Sequence, residues 1–182
     1  MSPASKTSTT KKSGGIPRKK SSPAKRKTPP KVFISYSHRD SGFKDELMGM
    51  LAILEKQKVI KVWQDREIED GNDWYRAIRS AMRTCDMAIL LVSQSFLNSE
   101  FIQRQEVPVL LKKRKQQGMR VVPIIVRHCL WKDDPVLSKI QALPREGRPV
   151  ITFPKANGSR DKVWVEIVQS IGRRAKALQQ GR

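Results

Sequence analysis

The chain has 182 residues, with 37 Lys and Arg against 17 Asp and Glu and a formal net charge of +20. That length accommodates one ordinary domain and an appendage. No apolar run reaches the ~20 residues a membrane span needs, none of signal-peptide length heads the chain, and the two cysteines, Cys85 and Cys129, are too few for a disulfide framework.

Residues 1–30 hold nine of the Lys and Arg and no acid, which leaves +11 on residues 31–182. This Ser/Thr/Pro/Lys-rich stretch buries too little apolar surface to offset chain entropy, so a disordered basic tail is expected over 1–30. No aromatic interleaves its cations, which argues against base stacking and leaves a weak electrostatic contact with nucleic acid as the expectation.

From Lys31 the pattern alternates between strands and helices. KVFISY (31–36) reads as a strand, and Asp40 is placed to cap a helix carrying Phe43, Leu47, Leu51 and Leu54 at helical spacing. VIKVWQD (59–65) reads as a second strand, with Trp63 as a core or interface side chain. The polar loop REIEDGND follows, and Trp74, Ile78, Ala81 and Met82 mark a second helix. MAILLVS (87–93) is continuously apolar, as a central strand buried on both faces requires. A helix through Ile102, Glu106 and Leu110 comes next and ends at KKRKQQG. RVVPIIVR (120–127) and RPVITF (148–153) read as strands four and five, joined by an irregular connection. A last helix from about Ser159 carries Trp164, Ile167, Val168, Ile171 and Ala175.

Five strands alternating with about five helices predict an α/β domain over 31–177, with a short C-terminal tail at 178–182. The architecture is a flavodoxin-like doubly wound parallel sheet with helices on both faces. Ligands of such sheets bind beyond the carboxyl ends of the strands, here the loops YSHRD, DREIEDGND and SQSFLNSEF. Neither GxGxxG nor GxxxxGK occurs, and His38 and His128 lie too far apart in sequence to suggest a metal site. Glu106 stands out: it occupies an apolar helix face, where a carboxylate needs a basic partner, an edge or a pocket. Arg104 and Arg79 are the candidate partners if its role is structural. Pro108 cannot donate to the carbonyl of Arg104, so the helix is loosened beside Glu106.

KVFISYSHRD, VWQDREIEDGNDW, ILLVSQSFLNSEFIQRQEVPVLL and RVVPIIVRHCLW, followed by PREGRPVITF, together resemble a bacterial-type TIR domain from about Lys31 to Arg174. The resemblance implies cleavage of NAD+, as substrate and not as cofactor, at the nicotinamide–ribose bond. The products are nicotinamide and ADP-ribose or a cyclic ADP-ribose, in a cytoplasmic defence or signalling effector. It implies Glu106 as the required catalytic glutamate, with Ser37, His38, Arg39, Trp74, Ser99 and Phe101 against the substrate. Phosphate suits the several donors of Arg39. Where relatives carry an aromatic four residues before the glutamate, this chain has Ile102, with Phe101 one position earlier. The family also contains non-enzymatic modules that self-associate, or bind other TIR-containing proteins, through a loop that in this chain comprises Asp65, Arg66, Glu67, Ile68, Glu69, Asp70 and Gly71.

Overall fold

The computed structural model describes residues 28–63 and 72–181, with the backbone alone for 72–75. The tail expected over 1–30 lies outside the described residues up to residue 27, and so does the loop Asp65–Gly71.

Four parallel strands form the sheet: β1 (Lys31–Ser35), β2 (Lys61–Val62), β3 (Met87–Val92) and β4 (Arg120–Ile125), in the order β2-β1-β3-β4. The apolar run of β3 is the reason it sits inside. It pairs with β1 from Val32↔Met87 to Ser35↔Leu90 and with β4 from Met87↔Arg120 to Val92↔Ile125, and all six of its residues are buried.

Side chains alternate between two cores, as the strand period demands. Val32, Met87, Ile89, Leu91, Val122 and Ile124 meet α1 (Ser41–Lys56) and α5 (Ser159–Gln179). Phe33, Ala88, Leu90, Val92, Val121 and Ile125 meet α2 (Asn72–Thr84) and α4 (Val107–Gln117). Helices therefore cover both faces, and α4 ends where Gly118 adopts φ +68°. A short helix, α3 (Gln94–Leu97), intervenes between β3 and the segment that carries Glu106.

The fifth strand expected at 148–153 is a 3-10 turn, Val150–Thr152, in the structure. A proline contributes to the difference. Beside β4, Leu143 donates its N–H to the Pro123 carbonyl and accepts from Ile125 N–H, each at 2.8 Å. The run at 148–153 reaches the same side once, with Ile151 N–H on the Val126 carbonyl at 3.0 Å, but Pro149, the alternate residue before it, has no N–H to extend the pairing, and one isolated bridge remains, Ile124↔Leu143.

Asp40 also departs from expectation. It does occupy the position before α1, but its side chain makes no capping bond. Instead it is buried, accepting from Ser93 Oγ at 2.5 Å and from Arg127 Nε at 2.8 Å. Ser93 in turn accepts from the Phe96 N–H at 3.1 Å and so caps α3. One carboxylate thereby ties together the carboxyl ends of β1, β3 and β4.

Candidate active site

The site begins with the alternation of β1. Phe33 and Ser35 point to the α2/α4 side, so the last residue of the strand presents its hydroxyl to the helix that carries Glu106. Ser35 Oγ donates to Glu106 Oε2. Ile102, Glu106 and Leu110 are 4%, 6% and 1% exposed. The glutamate thus lies on the buried face, as the spacing predicts.

Arg104, a candidate partner under a structural reading, is exposed and lies 3.9 Å from Glu100, and among the described residues no ion pair reaches Glu106. Burial pushes the Glu106 carboxyl above its ordinary value of 4.5, and the hydrogen bond from Ser35 opposes that only in part.

The helix is irregular at this point. Ile102–Glu106 form a π-helical turn, with Val107 N–H bonded to the Ile102 carbonyl, and Pro108 follows in the first turn of α4. The proline has no N–H to continue an α-helical ladder back to Arg104. The widened turn accommodates that missing donor and turns Glu106 toward β1. Single π turns of this kind recur at functional sites.

Glu106 forms part of the wall of a cavity of about 770 Å³, within the ~300–1,000 Å³ span of small-molecule and cofactor sites. The end of β1 and the turn after it contribute Ser35, Tyr36, Ser37, His38 and Arg39; α1 contributes Lys44, Asp45 and Met48. Trp63, Ile78, Ser99, Phe101 and Ile102 close the other sides. The cavity thus brings Ser37, His38, Arg39, Ser99 and Phe101 together with Glu106. The Trp74 side chain and the Asp65–Gly71 loop lie outside the described residues.

Sequence reasoning misses several lining residues. Trp63, expected in the core or an interface, is half-buried on the cavity wall with its ring 5.6 Å from Phe33. It directly follows β2, and the rule that ligands sit beyond strand ends could have found it. Lys44 lies 5.7 Å from the centre of the Tyr36 ring and 2.6 Å from Asp45; its helical spacing carries no such signal. His38 meets the edge of Tyr36 at 6.2 Å. Among the described residues no group of three His, Cys, Asp or Glu is placed to hold a metal ion, and no helix is long and apolar enough to cross a membrane.

A TIR-domain family profile matches residues 32–168 of this sequence. The chain belongs to the TIR-domain family. Its TIR domain is also similar to the uncharacterized protein y4lF of Sinorhizobium fredii, 35% identical over 142 residues, which covers 78% of this chain and 42% of that protein. The chain thus spans less than half the length of that curated relative. Among solved structures, the TIR domain of the Toll-related receptor TRR-2 of Hydra magnipapillata is 19% identical with a TM-score of 0.46, covering 71% of this chain and 95% of that one. The TIR domains of the activated Roq1 resistosome, which directly recognizes the pathogen effector XopQ, are also 19% identical. Their TM-score is 0.47, with 79% of this chain and 84% of that one covered.

Proposed function

We propose that this TIR domain is an NAD+ nucleosidase that breaks the nicotinamide–ribose bond, with Glu106 as the catalytic residue. The observation that carries the reading is a buried carboxyl with no basic partner among the described residues, held by a serine against a dinucleotide-sized cavity. A carboxyl serving only structure would ordinarily be paired.

The chemistry demands little else. The bonding pair leaves with the nicotinamide nitrogen, which becomes neutral, so no general acid is needed. Positive charge develops on the ribosyl carbon and its ring oxygen. A carboxylate held beside that carbon stabilises the charge and accepts a hydrogen bond from a ribose hydroxyl, and such fixed electrostatics is commonly the largest catalytic contribution. Ser35 engages Oε2, which leaves Oε1 for the substrate. Water adding to the ribosyl carbon gives ADP-ribose and releases a proton; an adenine nitrogen adding there gives the cyclic product.

Ser37, His38 and Arg39 would hold the diphosphate, while Phe101, Trp63 and Trp74 would offer aromatic surface to the bases. Ser99 would bond a ribose. Self-association through Asp65–Gly71, and a cytoplasmic role in bacterial defence or signalling, complete the proposal. Incubation with NAD+ followed by measurement of nicotinamide tests it, with wild type beside Glu106→Gln. Normal turnover by a folded Glu106→Gln protein would refute the assignment.

A further inference from the structure

Three of the residues proposed to hold substrate, Ser37, His38 and Arg39, share one short segment after β1. Asp40 N–H closes this segment on the Ser37 carbonyl at 2.7 Å, which makes His38–Asp40 a 3-10 turn. His38 and Arg39 are exposed. Long exposed side chains hold a ligand tightly only where their backbone is already in place, because ordering a loop on binding costs affinity. The position of the turn therefore matters as much as the donors it carries.

The anchor is the residue that ends the turn. The Asp40 side chain is fully buried, and its carboxylate accepts from Ser93 Oγ at 2.5 Å and from Arg127 Nε at 2.8 Å. Ser93 directly follows β3, and Arg127 lies two residues past β4, so the turn is pinned across the ends of both strands. The Arg127 guanidinium is held in its own right, 5.0 Å from the centre of the Phe43 ring in the first turn of α1. Ser93 carries the tie to another wall. Its Oγ accepts from Phe96 N–H at 3.1 Å and caps α3, and α3 leads to Ser99 and Phe101 on the cavity wall.

Neither capping nor stability accounts for this carboxylate. It makes no capping bond to α1, and a buried ion pair is often no more stabilising than packed apolar side chains of similar volume. What two short bonds to a carboxylate do supply is direction.

We infer that Asp40 is a positioning residue for substrate: clamped by Ser93 and Arg127, it sets the turn that presents Ser37, His38 and Arg39 to the diphosphate. The inference rests on the NAD+ reading of the cavity proposed above. Asp40, Ser93 and Arg127 are not among the described residues that line the cavity, and Glu106 is held separately by Ser35. Loosening the clamp therefore weakens binding of ground state and transition state alike and leaves the chemical step in place.

The test measures kcat and KM for nicotinamide release by the full chain, wild type beside Asp40→Asn and Arg127→Gln, with thermal unfolding of each. Titration of NAD+ into the same proteins carrying Glu106→Gln gives Kd without turnover. Asp40→Asn keeps the shape and removes the charge, and is expected to raise KM and Kd about tenfold. Its kcat should stay within about threefold of wild type, with the pH dependence of kcat unmoved. Arg127→Gln, at a half-exposed position, should do the same and decides the matter should Asp40→Asn fail to fold. Arg127→Lys keeps a cation beside the carboxylate and should restore KM to within about threefold of wild type. The two losses should not add in the double variant, because each breaks the same contact. A folded Asp40→Asn protein with wild-type KM and a lowered melting temperature would overturn the inference in favour of a purely structural role, and so would a loss confined to kcat. Both outcomes leave the Glu106 assignment standing. Normal turnover by Glu106→Gln refutes that assignment alone, the clamp then being judged on KM. A chain that neither binds nor cleaves NAD+ overturns both.

Discussion

Glu106→Gln is the most informative substitution because it changes charge with almost no change in shape. The glutamine carbonyl still accepts the Ser35 hydroxyl, so the wall of the cavity is preserved. What is lost is a carboxylate that would stand about 4 Å from a ribosyl cation. At an effective dielectric of about 20, that interaction amounts to about 4 kcal/mol, roughly the 10²–10³-fold loss in kcat that follows removal of one fixed electrostatic donor elsewhere. Among the described residues no second acid replaces it, since Asp45, the other carboxylate they place on the cavity wall, is 67% exposed and engaged by Lys44. Stability should move the other way, because burial raises the Glu106 pKa in the folded protein. The folded state then binds the proton more tightly, so the contribution of this group is full below its unfolded value and is lost as pH rises through the folded value. Glutamine has no such loss. The variant should melt above wild type at about pH 8, and the gap should close toward about pH 4, below the ordinary carboxylate value. The assays are nicotinamide release under saturating NAD+ and thermal unfolding over that pH range. A kcat within about tenfold of wild type, or a melting difference that does not change with pH, would refute the reasoning.

The same physics makes three further expectations. Ser35→Ala removes the one bond that opposes the rise in the Glu106 pKa, so the rising limb of the pH–rate profile should shift to higher pH while the plateau changes little. Pro108→Ala restores a backbone donor and should stabilise the protein by about 1 kcal/mol, the net contribution of one hydrogen bond; by drawing the π turn toward α geometry it should also lower kcat, and urea unfolding beside turnover measures both. Glu46 accepts from Trp164 Nε1 at 2.7 Å and lies 2.5 Å from Lys155 and 3.6 Å from Arg160. Burial raises its pKa, but those hydrogen bonds and charges outweigh burial and leave it lowered from 4.5. Its stabilisation is therefore present above the unfolded value and lost as pH falls through the folded one. Glu46→Gln should cost about 1 kcal/mol at neutral pH, with the difference in urea midpoint vanishing in acid.

The parts of the fold that are legible in the sequence are those governed by one short-range rule. The β3 run MAILLV has to be buried on both faces wherever it lies, and α5 repeats its apolar residues at helical spacing along its length. Glu106 is conspicuous for the same reason, as the polar exception in a helical stripe. Features that depend on a distant partner are not legible. Asp40 reads as a helix cap because Ser93 and Arg127, which claim its carboxylate instead, are 53 and 87 residues away. The run RPVITF has strand propensity, yet Pro149 lacks the donor that would extend the single bond from Ile151 into a fifth ladder. Trp63 reads as a core residue by its alternation with Val59, although its place after the end of β2 opens it to the cavity.

The winding of the sheet explains why its two ends differ in charge. Strand carboxyl ends and helix amino ends converge on the cavity, where backbone dipoles favour anions. The Glu106 pKa is raised there all the same, because burial outweighs every favourable contact its carboxylate makes. At the opposite edge the helix carboxyl ends favour cations, and three strands start there on Lys31, Lys61 and Arg120. Charge reversal at Lys61 should leave the pH profile set by Glu106 in place, because a sheet's length of protein and solvent screening separate the two. The measurement is nicotinamide release over a pH series, wild type beside Lys61→Glu. If the profile moves, the two ends are coupled through the sheet, and the picture of independent ends on one scaffold fails.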